Sequence, residues 1–448
     1  MLKVGFSRLD VTPPLGNDLS GYFVRRIANG ILDPLYLNTV AISNDQETVI
    51  LAAIDYIGMQ VGVCDELRAM ISERTGVPTD HIMVAALHQH TSPCLTGGLK
   101  RHGTELKDKN FIDVVMRKFA DGAQMAMDDR KEAVMSTATG EVAEPISFVR
   151  RYFVSDGNVK SNPNTDKYTV VKRCSDSDNS VRLVRFKREG ANDVAIINFS
   201  THPDVISGEK WSADWPGFTR RFVEEELGNV SSIFFTGAQG DSNHVDFFKP
   251  KEERRAGYKH SEYMGRMVAD AVISIWDKTK ESVGDKIASY TETIYNPTNT
   301  EGLEYYDDAV EYDRLYTEQS TGSNWSNISI KHDYITCIAH AKRIMRLRTA
   351  PIFQSFPMMF ITVGDFAMVG FGGEAFTSYS TILKDLLKDK FLMTAVCANG
   401  YEGYFPTAEA FKQGGYEVIG SLYTPQLEDQ IIGSVSDMYK KSMNENNE

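Results

Sequence analysis

Repeatedly along this chain, an apolar run of strand length stops abruptly on a histidine, a carboxylate or a tyrosine at the head of a loop. Ile82 to Leu87 runs into His88-Gln89-His90-Thr91-Ser92-Pro93, and Val194 to Phe199 into Ser200-Thr201-His202-Pro203. Ser231 to Thr236 precedes the glycine-rich loop Gly237 to Asn243, which contains Asp241 and Ser242. Phe366 to Gly370 leads to Gly372-Gly373-Glu374, and Leu392 to Cys397 leads to Tyr404. Apolar runs of this length with turn chemistry behind them read as buried strands. Helical patterns lie between them. Residues 64–75 carry Leu67, Met70 and Ile71 at helical spacing, with Gly76 as a stop, and 111–127, 216–226, 264–276, 328–345 and 425–442 read likewise.

This alternation predicts an α/β fold, a mixed β-sheet core flanked by helices. Loops gathered at one sheet edge are where such folds build sites. No linker is evident, so the expectation is a single domain over residues 1–448. The polar, aromatic stretch from 296 to 327 breaks the pattern and marks a helical insertion spanning about 296–350.

The two histidines of the first loop are spaced i, i+2. In a strand those positions share a face, so His88 and His90 are expected to reach one cavity. Imidazole is the commonest metal ligand and titrates near neutral pH. Ordinary roles compete at each position. His202 suits a core or capping histidine before Pro203, and Glu374 a first-turn glutamate facing a helix dipole. Tyr404 and Tyr416 suit packing aromatics, Arg150 a surface ion pair, and Asp214 a turn.

Composition narrows the partners. A net charge of -13 argues against nucleic acid or an anionic membrane as the main partner and for solubility; the partner expected is a small-molecule substrate. It does not fix the local field of a site. No run approaches the roughly eighteen apolar residues of a spanning helix, and Met1 to Ser7 lacks the features of a secretory signal. The five cysteines show no CxxC pairing, so free thiols in a reducing cytosol are expected. A homo-oligomer stays open.

Taken in order, these segments resemble the neutral/alkaline ceramidase family in its catalytic domain. Gly5-Phe6-Ser7-Arg8-Leu9-Asp10-Val11-Thr12-Pro13 with Gly21-Tyr22 looks like that family's opening, and His88 to Pro93 is similar to its HTHSGP motif. Asn198 to His202, with Ser212-Ala213-Asp214 downstream, resembles its second histidine segment, and Gly237 to Asn243 a variant of its GDVSPN loop. Gly373-Glu374-Ala375-Phe376-Thr377 is similar to GEFTT, and Tyr404 to Glu409, with Tyr416 beyond, to YVTTxEEY. The likeness covers residues 1 to about 420.

The resemblance implies Zn²⁺ held by His88, His202, Glu374 and Tyr404, a donor set that suits zinc. It places His90 as the acid/base and Tyr416 and Arg150 beside the reacting carbonyl. Asp241 and Ser242 fall at the substrate-binding loop, and Asp214 is a candidate partner orienting a ligand histidine. A zinc of this kind lowers the pKa of a water and polarises a carbonyl. The implied reaction is hydrolysis of an amide or ester.

Gln89 stands where the family has threonine, and Gly240-Asp241-Ser242-Asn243 lacks the family's valine and proline. The chain ends soon after the last motif, leaving no residues for the β-sandwich domain of the secreted ceramidases. A small or polar N-acyl or sugar-derived substrate is therefore expected rather than membrane ceramide. A true neutral ceramidase, a carbohydrate-active hydrolase with Tyr305, Tyr306, Tyr312, Tyr316 and Trp325 stacking on sugars, and a metal-stabilised binding protein are the alternatives.

Overall fold

The computed structural model describes residues 1–96, 108–319 and 334–444. Its larger sheet is built from β1 (Leu2–Asp10), β2 (Tyr36–Ser43), β3 (Thr48–Ile54), β4 (Ile82–Ala86), β5 (Lys131–Glu141), β6 (Ser180–Arg188), β7 (Asp193–Phe199) and β8 (Val230–Thr236). The spatial order is β8-β7-β6-β5-β1-β2-β3-β4, with the short strand Lys280–Glu281 also paired to β5. Neighbours along this path are antiparallel except at its two ends, where β3 pairs parallel with β4 and β7 parallel with β8. Parallel neighbours need a crossover. Helix α1 (Val61–Thr75) supplies the first, ended by Gly76 at φ 77°, as the sequence anticipates. Helix α3 (Asp214–Leu227) supplies the second; α2 (Lys109–Asp128) and α4 (Tyr258–Ile275) pack on opposite faces.

Side-chain alternation explains the layers. On β2, Leu37 and Ala41 belong to the core that holds α1 and α2, whereas Val40 and Ile42 belong to the core that holds α3 and α4. The strands are buried on both sides, so they read as nearly continuous apolar runs.

A second sheet follows: β9 (Ile287–Pro297), β10 (Phe353–Val363), β11 (Phe366–Phe371) and β12 (Phe391–Ala395), in that order. Strands β9 and β10 pair antiparallel from Ile287↔Val363 to Pro297↔Phe353. The helical insertion, with α5 (Tyr306–Gln319) and α6 (Ile338–Leu347), therefore emerges from the open end of a hairpin and has its own small core. Helix α7 (Thr377–Leu386) makes the third crossover, between parallel β11 and β12. Helix α8 (Leu427–Asn444) closes the described chain, and no described helix is long and apolar enough to cross a membrane.

The two sheets meet end to end. Thr236 Oγ1 donates to the Leu87 carbonyl at 2.8 Å, joining strands that lie at opposite limits of the larger sheet. The backbone beyond β12 is held there too, by Val396 N to Thr236 O and by Ala86 N to Cys397 O. Loops from all three crossovers thus open into one space.

An ion pair fixes part of this junction. Asp55, just past β3, takes two hydrogen bonds from Arg220 of α3, at 2.8 and 2.6 Å, and both residues are buried. Gln89, between the two histidines, donates to the same carboxylate at 3.1 Å and does not line the cavity described below. Its departure from the family threonine is thus a matter of scaffold. Arg220→Met leaves a buried carboxylate without its counter-charge, and about 3–5 kcal/mol of stability is expected to go with it. Denaturant unfolding checks this; a loss below about 1 kcal/mol would contradict it.

Candidate metal centre and its cavity

His88 does not continue strand β4. The strand ends at Ala86, and His88 adopts φ 71°, a left-handed backbone uncommon outside glycine. The i, i+2 strand rule is therefore not what brings His88 and His90 together; the turn is. Cys397 and Asn399 nearby also have positive φ. Non-glycine residues held in this region concentrate at functional sites.

Hydrogen bonds fix the tautomers of two histidines. His88 Nδ1 faces the Ile57 carbonyl at 2.8 Å, and His202 Nδ1 faces the carbonyls of Gln239 and Ser242 at 3.0 and 3.1 Å. A carbonyl only accepts, so Nδ1 carries the proton and Nε2 presents a lone pair. Both Nε2 atoms lie 3.2 Å from a single oxygen, Glu374 Oε2. His202 Nε2 and Glu374 Oε2 are buried with no hydrogen-bond donor between them. Lone pairs converging on an anionic oxygen call for a cation among them.

His88, His90 and His202 also form a group whose ring nitrogens lie within 4.8 Å of one another, close enough to hold a metal ion. Two donor sets thus overlap: the three imidazoles, and the His88–His202–Glu374 cluster. In the second, one oxygen touches both nitrogens, while neither ring nitrogen of His90 has a hydrogen-bond partner. His90 Nδ1 lies 3.6 Å from Asp204 Oδ1, and Asp204 accepts a hydrogen bond from the Tyr22 hydroxyl. Burial, then His88 and His202, push His90 well below its ordinary pKa, leaving the ring neutral; burial raises Asp204 to about 6. Gly21, at φ 106°, lies so close that an added Cβ would stand 2.6 Å from His90 Nδ1.

Tyr404 is brought to Glu374 by backbone pairing, since Glu374–Ala375 and Tyr404–Phe405 form a short parallel ladder with Glu374 opposite Tyr404. Arg150 Nη2 donates to the Tyr404 hydroxyl oxygen at 3.0 Å. Burial and the Glu374 carboxylate hold the phenol well above its ordinary pKa, while Arg150 opposes them. Arg150 is buried, its Nε bound to Glu417 at 2.8 Å and its backbone N–H to Asp241 O. The Tyr416 ring packs edge-on to that of Tyr404 at 6.0 Å and lines the cavity.

The remaining candidates surround the centre without reaching the cavity wall. Asp241 binds Thr377 N and Oγ1 at 2.7 and 2.9 Å, fixing the start of α7 just after Glu374. Ser242 is fully buried, and its carbonyl, not its hydroxyl, meets His202. Asp214 accepts from the backbone N–H groups of Val205, Ile206 and Trp215 and from Ser261 Oγ. It anchors the loop that carries His202 and touches no imidazole nitrogen. Gly240 packs so tightly on this cluster that a Cβ there would lie 2.4 Å from Glu374 O.

Asp204, Tyr22 and Glu417 were not singled out by sequence reading. Asp204 follows His202-Pro203 directly, and Glu417 follows Tyr416, so adjacency to a motif was the available signal. Of the aromatics of the insertion, Tyr312 and Tyr316 are buried in its helical core and Tyr305 stacks on Tyr334 at 4.1 Å. None of these lines the cavity, and Trp325, like His102 and His332, lies outside the described residues.

The cavity holds about 120 Å³ and is walled by His88, His90, Glu374, Tyr404 and Tyr416 on one side and by α6 on another. Cys94 also lines it. The five cysteines are free of disulfides.

Among solved structures, the chain is similar to the neutral ceramidase from Pseudomonas aeruginosa, with a TM-score of 0.72 and 15% identity over 98% of this chain and 74% of that one. A ceramidase complexed with C2 matches with a TM-score of 0.73, again at 15% identity, 98% and 74% coverage. No protein-family model and no curated protein sequence matches. The fold is that of the neutral ceramidases, and the expected α/β architecture with a helical insertion holds.

Proposed function

We propose that the chain is a metal-dependent amide hydrolase, with zinc as the ion and a small or polar N-acyl compound as substrate. The observation that carries this reading is the buried meeting of His88 Nε2, His202 Nε2 and Glu374 Oε2, each nitrogen 3.2 Å from the oxygen with no donor between them. Tyr404, opposite Glu374 in the short ladder, completes a nitrogen/oxygen donor set suited to zinc. When bound, such an ion supplies an activated water and polarises a carbonyl.

The protein's own groups account for the remaining steps. His90 is neutral and close to the donor cluster, so it takes the proton from the attacking water and returns it to the departing amine. Asp204, itself bound by Tyr22, stands 3.6 Å from His90 Nδ1, close enough to stabilise the ring once it has taken the proton. Tyr416, from the cavity wall, donates to the oxyanion as it develops. Arg150 acts through Tyr404, keeping the phenol oxygen turned towards the centre. Donors of this kind are worth about 2.7–4 kcal/mol in the transition state.

His90→Gln tests the assignment. Zinc content is expected to stay at the wild-type level while kcat for short N-acyl amides falls about 10²–10⁴-fold. Joint loss of zinc and activity would instead make His90 a ligand, as the three-imidazole group allows. Unchanged turnover would remove its acid/base role.

A further inference from the structure

The insertion walls the cavity with α6, and that wall is cationic: Lys342, Arg343 and Arg346 line it beside Ala339. Lys342 is paired within the insertion, with Asp313 of α5 at 2.7 Å. Arg343 reaches out of it. The side chain is buried, and its guanidinium donates to three backbone carbonyls, Nε to Ser421 at 2.7 Å, Nη1 to Glu301 at 2.6 Å and Nη2 to Asn299 at 2.7 Å. Asn299 and Glu301 lie just past β9, where the insertion begins, and Ser421 lies in the loop that follows Tyr416. A planar fork of donors fixes these segments in one geometry.

The loop has little else to hold it. Tyr416 opens a single helical turn, Tyr416–Ile419, directly after Gly414 and Gly415 at φ 69° and 99°. One turn is not stable by itself, because its nucleation fixes several residues for one hydrogen bond. Contacts on two sides supply the stability instead. On one side the Glu417 carboxylate takes Arg150 Nε and the Ser161 hydroxyl. On the other, the chain leaving the turn is bound to the insertion: Ser421 O accepts from Arg343, and Asn299 N–H donates to Leu422 O at 2.8 Å. Gly420 faces α6 there, an added Cβ standing 4.0 Å from the Cβ of Ala339. Ser421 Oγ also donates to the Tyr404 carbonyl at 3.4 Å.

We infer that Arg343 is a positioning residue: by clamping the loop after Tyr416 to the insertion, it sets where the Tyr416 hydroxyl stands on the cavity wall. The inference rests on the hydrolase reading for what that hydroxyl does; the clamp itself is a property of the fold. The insertion is then a working part of the centre, a brace for the oxyanion donor, kept stiff by its own small core. Misplacing a reacting group by about 1 Å can cost about 10²-fold in rate. The side chains proposed to hold zinc are not among the partners of Arg343, so the clamp acts on turnover and not on metal content.

A double-mutant cycle on the full-length, zinc-loaded protein separates this role from a general loss of structure. Arg343→Gln is expected to lower kcat for a short fluorogenic N-acyl amide about 10–10²-fold, with zinc at the wild-type level and KM within about threefold. In the Tyr416→Phe background no hydroxyl remains to be placed, and the same change should cost less than about threefold. Equal losses in the two backgrounds, loss of zinc, or an unchanged kcat would overturn the inference. Arg343→Lys keeps the charge without the fork; it should fall between, and it replaces Arg343→Gln if that variant unfolds at the assay temperature. A second readout needs no turnover. With 3-fluorotyrosine incorporated at position 416, the fluorine resonance should shift or broaden when Arg343 is replaced, and an unaltered resonance would overturn the clamp. An altered resonance in a protein that cleaves no amide would retain the clamp and reject the hydrolase reading; turnover with an unaltered resonance would do the reverse.

Discussion

Glu374→Gln is expected to remove bound zinc and, with it, at least about 10³-fold of the amidase activity. Disturbing the outer partners of a metal site already costs about 10- to 100-fold, and a ligand should cost more. Glu374 Oε2 is the one atom that touches both His88 Nε2 and His202 Nε2. The amide changes the shape little, but it removes the negative charge and can present N–H donors where a lone pair stood. Either change disfavours a divalent ion. Elemental analysis of the purified variant, read beside kcat/KM, checks both halves of the expectation. Wild-type zinc with wild-type turnover would show that Glu374 is a structural acid at the head of α7, the ordinary role open to it from sequence.

Glu417→Gln should be the most damaging change that leaves every proposed ligand in place. Glu417 is fully buried. One carboxylate oxygen binds Arg150 Nε at 2.8 Å, and the other takes the Ser161 hydroxyl at 2.5 Å and lies 3.6 Å from Arg151 Nε. Neutralising it strands two buried guanidinium groups, and about 3–5 kcal/mol of stability is expected to be lost. Activity should fall as well, because Glu417 holds the Nε edge of the guanidinium whose Nη2 donates to the Tyr404 hydroxyl. Thermal unfolding and kcat are the readouts, with zinc content measured as a control. A variant as stable as the wild type would show that water or rearrangement supplies the missing partner.

Much of this arrangement could be read from the sequence because α/β crossovers leave a regular trace. The helix stopped by Gly76 and the run 82–87 became α1 and β4, and β4 pairs parallel with β3 as such a unit requires. Residues after β4, β7, β11 and β12 do converge, as strands ending in reactive side chains suggest. Where the reading fell short, the cause was local. Strand β5, Lys-Glu-Ala-Val-Met-Ser-Thr-Ala-Thr-Gly-Glu, and strand β9, Ile-Ala-Ser-Tyr-Thr-Glu-Thr-Ile-Tyr-Asn-Pro, are partly exposed and polar, and no apolar run betrays them. The 296–327 stretch looked like the start of an insertion, yet Asn296 and Pro297 still belong to β9. His88 and His90 met for a reason other than strand alternation, because a left-handed turn is not encoded in apolar periodicity. The roles of Glu417 and Asp204 depend on contacts across more than a hundred residues, Arg150 with Glu417 and Tyr22 with Asp204, which one sequence does not reveal. The cationic wall of α6 was hidden for the same reason: acidic composition describes the whole surface, not one cleft.

On the proposed reading, separate crossovers deliver one metal centre. Anomalous diffraction at the zinc edge from crystals of the zinc-loaded protein tests it most directly. One peak per chain is expected, at about 2.0–2.2 Å from His88 Nε2, His202 Nε2, a Glu374 oxygen and the Tyr404 oxygen, with His90 near it but unbonded. No peak in that cluster, or one bonded to His88, His90 and His202 with Glu374 turned away, would contradict it.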